Sequence, residues 1–271
     1  MYFITFTEMV GSKGEEISKK VAAALNYPYF GEKELAEAAT KSGFLDDMKE
    51  LDEKGPTLLE RFFSERPKIY LDRLQSVIYD EARKGDRVFF GRGSHMLLNA
   101  FDCAFHVLMT GSEEKRIQMV MEQNQAGREI AKKIIERSDH DKRGFIRFAF
   151  DEDWLNPKLY DLILNTDKLS VDSAVKLVVD AARSDEIKAC GIDSVDLLGR
   201  LALQQKAESV LLELGIGRSR VFMNVEDINT IRIYGITNSL EEKERIEGSV
   251  SKIAGVKRVI NEIQFSQWAS G

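Results

Sequence analysis

The chain has 271 residues, 43% hydrophobic and 31% charged, with a formal net charge of −6, the composition of an ordinary globular protein long enough for two domains. No apolar run approaches the roughly 18 residues needed to cross a bilayer, the first residues lack the flanks of a signal peptide, and the acidic balance disfavours nucleic acid or anionic lipid as non-specific partners. The expected location is cytoplasmic, and Cys103 and Cys190, far apart and outside any CxxC pairing, are expected as core or linker residues, with no disulfide and no zinc site.

Tyr2 to Phe6 is rich in aromatic and β-branched residues and predicts a strand. Gly11 and Gly14 then punctuate a turn, and Ile17, Val21, Ala24 and Leu25 fall on one face of a helix. Thr57-Leu58-Leu59-Glu60 has the form of a capping box, and Ile69, Tyr70, Leu74, Val77 and Ile78 predict a long helix after Pro67, closed by Gly85. Arg87 to Phe90, Phe105 to Met109 and Leu162 to Leu164 are short apolar runs between turn residues, as in parallel strands covered on both faces. Helices are expected from near Ser112, near Gly127 and at Ser170, the last carrying Val171, Ala174, Val175 and Val178. The alternation predicts an α/β fold, a doubly wound parallel sheet, over residues 1–183.

A polar linker is expected over 184–193. Over 194–267 a helix through Val195, Leu198, Leu201 and Leu211 precedes strands at Val221 to Val225 and Ile231 to Tyr234. A second helix, opened by Ser239-Leu240-Glu241-Glu242 and stopped by Gly255, and a strand from Val259 to Phe265 complete a small α+β unit of order αββαβ.

Chemistry concentrates in three stretches. Gly11-Ser12-Lys13-Gly14 lies between the first strand and the first helix, where backbone N–H groups and the positive end of a helix cradle phosphate. The P-loop pattern GxxxxGK[ST] is not met, and a tight turn without ligand is the equal alternative. Arg92, in Gly91-Arg92-Gly93 at the carboxyl end of a strand, is placed either to fork onto a phosphate or to point into solvent. Gly127-Arg128-Glu129, followed by Arg137, Asp139, Asp141, Lys142, Arg143 and Arg147, is either a mobile segment closing over a transferring phosphoryl group or a salt-bridged solvated face. His140 within it reads as exposed.

In this order the stretches resemble the cytidylate-kinase-like family of P-loop nucleoside monophosphate kinases over residues 1–183. Gly11 to Ile17 is similar to the family's GSGGREI loop, and Phe90-Gly91-Arg92-Gly93 lies at its DGRD. Glu136 to Arg143 is similar to the arginine-rich lid, Tyr160 to Asp167 to the strand and loop near the adenine, and Asp52 to Arg66 falls at the acceptor-binding region. The resemblance implies ATP and a pyrimidine nucleoside monophosphate as ligands, with Mg2+ as the metal. It implies nucleotide contacts from Gly11, Ser12, Lys13, Gly14, Glu15 and Glu16 in the loop, from Arg128 and Asp139 in the lid region, and from Asn165 and Thr166 beside the adenine. Phosphate-directed roles fall to Lys13, Arg92, Arg137 and Arg143.

Against the family's active pattern, Gly14 stands at the loop lysine, Glu16 at the Ser/Thr, and Phe90 and Gly93 at the two aspartates. The lysine contact and the usual protein anchors of Mg2+ are therefore missing. Two functions follow: transfer of a γ-phosphoryl group to a monophosphate, or nucleotide binding without turnover. Residues 194–267 resemble a BON-type domain through Ile231 to Gly235 and Ala254 to Asn261, which implies a protein or membrane-surface partner.

Overall fold

The computed structural model describes residues 2–42, 66–187, 191–217 and 219–265. The expected capping box at 57–60, the acceptor-binding segment up to residue 65 and Cys190 lie outside them. The chain divides into two units, Met1–Pro56 with Lys84–Gly191 and Thr57–Arg83 with Ile192–Gly271.

The first unit opens with β1 (Phe3–Glu8), α1 (Gly14–Leu25), β2 (Tyr29–Phe30) and α2 (Glu32–Ser42). After α3 (Arg66–Ala82), which belongs to the second unit, it continues with β3 (Arg87–Phe90), α4 (Ser94–Leu97), β4 (Ala104–Thr110) and α5 (Glu113–Asn124). The elements α6 (Arg128–Phe150), β5 (Leu162–Asn165) and α7 (Val171–Ala182) complete it. The five strands form one parallel sheet in the order β2-β3-β1-β4-β5, the α/β architecture expected.

Central β1 is buried from Phe3 to Thr7, because helices cover both faces of a parallel sheet. Ile4 and Phe6 share a core with Ile17 and Val21 of α1, Val107 and Met109 of β4, and Ala174 and Val178 of α7. Ala24, expected inside, is exposed, whereas Ala22, on the opposite face of the helix, is buried. Ser170 caps α7 by accepting the N–H of Ser173 at 3.1 Å. The register pairs Phe6 with Phe90 on one side and with Val107 on the other, so the carboxyl ends of β1, β3 and β4 lie side by side.

Cys103 is disulfide-bonded, which corrects the expectation of a free core cysteine. Two cysteines widely separated in sequence carry no spacing signal, since pairing depends on Cα separation in the fold. No helix among the described residues is long and apolar enough to cross a membrane.

In the second unit α8 (Ile192–Glu213), β6 (Val221–Asp227), β7 (Thr230–Thr237), α9 (Leu240–Val250) and β8 (Arg258–Phe265) follow the order αββαβ. The sheet is mixed: β6 runs antiparallel to β7, and β8 parallel to it after the crossover through α9. Leu203, Ala207 and Leu211 of α8, with Ile246 and Val250 of α9, cover the face carrying Ile231, Ile233 and Ile263. α9 stops at Val250, short of Gly255, because Lys252 and Ile253 donate to carbonyls three residues back and tighten the last turn. α3 packs along α8, linked by ion pairs between Asp80 and Lys206 and between Arg73 and Glu213. The sequence had placed this helix with the first domain; its apolar row marks a buried face without saying what covers it.

Candidate functional site

At the carboxyl ends of β1 and β3 the first unit holds a cavity of about 400 Å3. Open α/β sheets bind ligands at this edge. Thr7 and Glu8 come from the end of β1, Phe90 and Arg92 from the end of β3 and its turn, and His95 from α4. From α6 come Ile134, Arg137, Ser138, Asp141, Lys142 and Phe145, and Trp154 follows that helix. The α6 positions recur at intervals of three and four, one stripe of a helix, and this period sorts the basic stretch. Arg137 and Lys142 fall on the stripe, whereas Arg143 is exposed and off it.

The glycine loop is shaped by backbone conformations that few residues adopt. Gly11 has φ 88° and Lys13 φ 62°, both left-handed. A Cβ on Gly11 would lie 2.6 Å from the Arg116 carbonyl oxygen, so only glycine fits. Ser12 is fully buried; its N–H donates to the Met9 carbonyl at 3.0 Å and its hydroxyl to the Met109 carbonyl at 3.2 Å. Gly14, the first residue of α1, donates its N–H to Glu8 Oε2 at 2.7 Å. Burial pushes the Glu8 carboxyl above its usual range, against the charge of Lys142 and the N–H groups of Gly14 and Glu15.

The site residues of the loop therefore do not fit a donor phosphate in this arrangement, since the N–H that would receive it holds a carboxylate. Glu15, which lines the cavity, and Glu16, which does not, pair with Lys19 at 2.6 Å and Lys20 at 3.4 Å on the surface of α1. No group of three or more potential metal-binding side chains occurs among the described residues, and Glu16 offers no hydroxyl. The hydroxyl that anchors Mg2+ in the family's loop is therefore replaced by a carboxylate here.

Three cations reach the cavity. Arg92 has a left-handed φ of 56° and a side chain 9% exposed, with Glu32 4.0 Å away. Lys142 Nζ donates to the Glu8 carbonyl at 2.8 Å and to Ser138 Oγ at 3.3 Å, and stands 5.9 Å from the centre of the Trp154 ring. Arg137 is 68% exposed at the rim, 3.6 Å from Asp141. The opposite character comes from Phe90, Phe145 and Trp154. Trp154 is fully buried, and its indole N–H has no partner among the described residues.

His95 closes the base. Its Nδ1 lies 3.1 Å from Thr7 Oγ1, its Nε2 3.3 Å from the Tyr160 hydroxyl, and its ring stacks on Tyr160. The Tyr160 hydroxyl donates to the Trp154 carbonyl. It therefore accepts from His95 Nε2–H, which leaves Nδ1 to accept from Thr7. Burial pushes the imidazole down to about 3.

The other anticipated contacts are engaged elsewhere. Arg128 makes two contacts of 2.6 Å with Glu114 on the surface, and Asp139 binds Arg116. Asn165 Oδ1 accepts the N–H of Asp167 at 2.8 Å, and the Thr166 hydroxyl donates to the Thr110 carbonyl at 3.1 Å. None of these four lines the cavity, and neither does Lys13. Glu8, His95 and Trp154 escaped the sequence reading of the site, and Lys142, named within the basic stretch, was given no role of its own. The spacing of Lys142 four residues after Ser138 was the one available signal.

A profile described as the cytidylate kinase-like family matches residues 3–168. The crystal structure of an uncharacterized protein from Eubacterium ventriosum superposes with a TM-score of 0.55 at 18% identity, over 68% of this chain and 99% of that one, and shows the fold. Shikimate kinase from Bacteroides thetaiotaomicron gives 0.42 at 13% identity, over 68% of this chain and 99% of its own. An S-adenosylmethionine-dependent nucleotide dehydratase of Lacinutrix mariniflava is 21% identical over 179 residues, 65% of this chain. This chain spans 35% of that relative's length.

Proposed function

We propose, from the premise that this chain belongs to the cytidylate kinase-like family, that its first unit binds a nucleoside monophosphate in the cavity beneath α6 without the phosphoryl transfer of an active kinase. One observation carries the reading: Arg92, Arg137 and Lys142 converge on a single cavity that also presents Phe90, Phe145 and Trp154, beside the acids Glu8, Glu15, Glu32 and Asp141. Guanidinium and ammonium groups suit a phosphate, aromatic faces suit a base, and the partnerless Trp154 N–H suits an acceptor on that base. Transfer would additionally require donor phosphates positioned and neutralised by a loop and a metal. Glu8 on the Gly14 N–H and Glu16 on the surface of α1 supply neither, so binding without turnover is the reading favoured.

Trp154 supplies the reporter. Fluorescence titration with CMP, UMP, AMP and cytidine, repeated on Trp154→Phe to assign the signal, is expected to give saturable quenching by a monophosphate and at least about tenfold weaker binding of cytidine. A coupled assay with ATP, Mg2+ and the same monophosphates is expected to stay far below the roughly 1–100 per second of working kinases. Kinase turnover in that range, or no monophosphate binding, overturns the reading.

For the second unit we propose a binding role, in keeping with its BON-type resemblance. Phe222 stacks on Tyr234 with ring centroids 5.6 Å apart, and both rings are exposed on the open face of the sheet. Vesicle flotation of wild type beside Tyr234→Ser separates a membrane surface, which would carry the wild type alone, from a protein partner, which leaves both unbound.

A further inference from the structure

The acid that ends β1 and the glycine that begins α1 are one structural feature. Glu8 Oε2 accepts the Gly14 N–H at 2.7 Å, and the same carboxylate draws the N–H of Glu15. These are the first free N–H groups of a twelve-residue helix, where an anion is stabilised by aligned peptide dipoles. The strand end is held there by Lys142, whose ammonium donates to the Glu8 carbonyl. A Cβ on residue 14 would lie 2.6 Å from Glu8 Cβ, 2.7 Å from Oε2 and 3.2 Å from Met109 Cγ. A lysine at the helix start, which the P-loop pattern requires, and the Glu8 carboxylate in its present place cannot coexist. Glycine at 14 makes the room that the carboxylate fills.

We infer that Glu8 is a specificity-determining residue: its carboxylate stands in for a donor phosphate and keeps nucleoside triphosphates and other polyphosphates off the glycine loop. A phosphate oxygen at hydrogen-bond distance from the Gly14 N–H would coincide with Oε2, and the two anions repel across a partly buried site. The loop is thus a phosphate cradle closed from within, beside a cavity left open to a monophosphate. The inference rests on the proposed function only in assigning that cavity; the exclusion itself concerns the loop.

Calorimetric titration with inorganic tripolyphosphate, and separately with ATP, tests it on the full chain as wild type, Glu8→Gln and Glu8→Ala. Thermal melts establish that each variant is folded. Wild type is expected to bind either probe only at the cavity, where CMP displaces it, and not at the loop. Glu8→Ala, which vacates the cradle, gains at least about tenfold, and Glu8→Gln, which removes the charge but keeps an acceptor oxygen, gains less. Tight binding of tripolyphosphate by wild type that CMP does not displace, or no gain in folded Glu8→Ala, overturns the inference. If Glu8→Ala does not fold, the gain or its lack in Glu8→Gln decides. CMP titration of wild type runs alongside: its failure removes the monophosphate reading and leaves the tripolyphosphate arms to judge Glu8.

Discussion

Arg116 and Asp139 meet through two parallel contacts of 2.8 Å, while Nε of the same guanidinium donates to the Val10 carbonyl at 2.8 Å. One cation thereby ties the glycine loop to α5 and α6. The Arg116 side chain is 4% exposed, and removing one partner of such a pair leaves an uncompensated buried charge. Asp139→Ala is expected to lower stability by about 3 kcal/mol in urea denaturation. A loss under about 1 kcal/mol would mean the pair behaves as a surface contact.

Arg92 and Arg143 should separate in a binding experiment. Arg92→Ala removes a charge-assisted contact and is expected to weaken CMP binding by about tenfold or more. Arg143→Ala, on the exposed side of α6, should leave affinity within about twofold. Equal losses would put the phosphate on the other face of that helix.

Acid should weaken the fold through His95. Its folded pKa, about 3, lies below the usual 6.5. The unfolded chain therefore binds the proton first, and the stabilisation present above pH 6.5 is lost as pH falls toward 3, with a limiting slope near 1.4 kcal/mol per unit. Burial lowers His106 as well, and acts in the same direction. Denaturant midpoints at pH 7.5, 6.5, 5.5 and 4.5 should fall more steeply in wild type than in His95→Gln, where this proton uptake is absent. Parallel curves would mean that His95 protonates within the fold.

Gly14→Ala and Glu8→Gly should couple. Overpacking at the Glu8 side chain makes Gly14→Ala alone cost about 1–3 kcal/mol, and most of that cost disappears in the double variant. Glu8→Gln has its own pH signature. The raised folded pKa means the carboxyl's contribution is present at low pH and lost as pH rises, so the glutamine variant should be more stable than wild type at pH 8 and lose that advantage near pH 4. Additive costs in the cycle would show that residues 8 and 14 do not share the space.

The sheet was legible because β1, β3, β4 and β5 are apolar runs bounded by turn residues, whereas β2, two residues long, cannot display a period. Arg92 and Arg137 were legible from their place after a strand and within a basic helix. Glu8 was not, because an acid at a strand end acquires its role only when the loop turns back and presents the Gly14 N–H to it. Asp139 looked available for a nucleotide until α5 brought Arg116 to it. Helical period was the missed lever: applied to residues 134–145 it distinguishes Lys142 from Arg143.

Because α3 belongs with α8, the second unit cannot be finished in the order in which it is synthesised. Ala82 leaves the ribosome well before Ile192, an interval of about 5–20 s at ordinary elongation rates. Through that interval the row of Tyr70, Leu74, Val77 and Ile78, buried in the finished protein, lacks the helix it packs along. The strands from β3 to β5 emerge meanwhile and can close on β1. Nascent chains halted near residue 185 should therefore recruit a trigger-factor-type chaperone through that row, and release it once α8 has been translated.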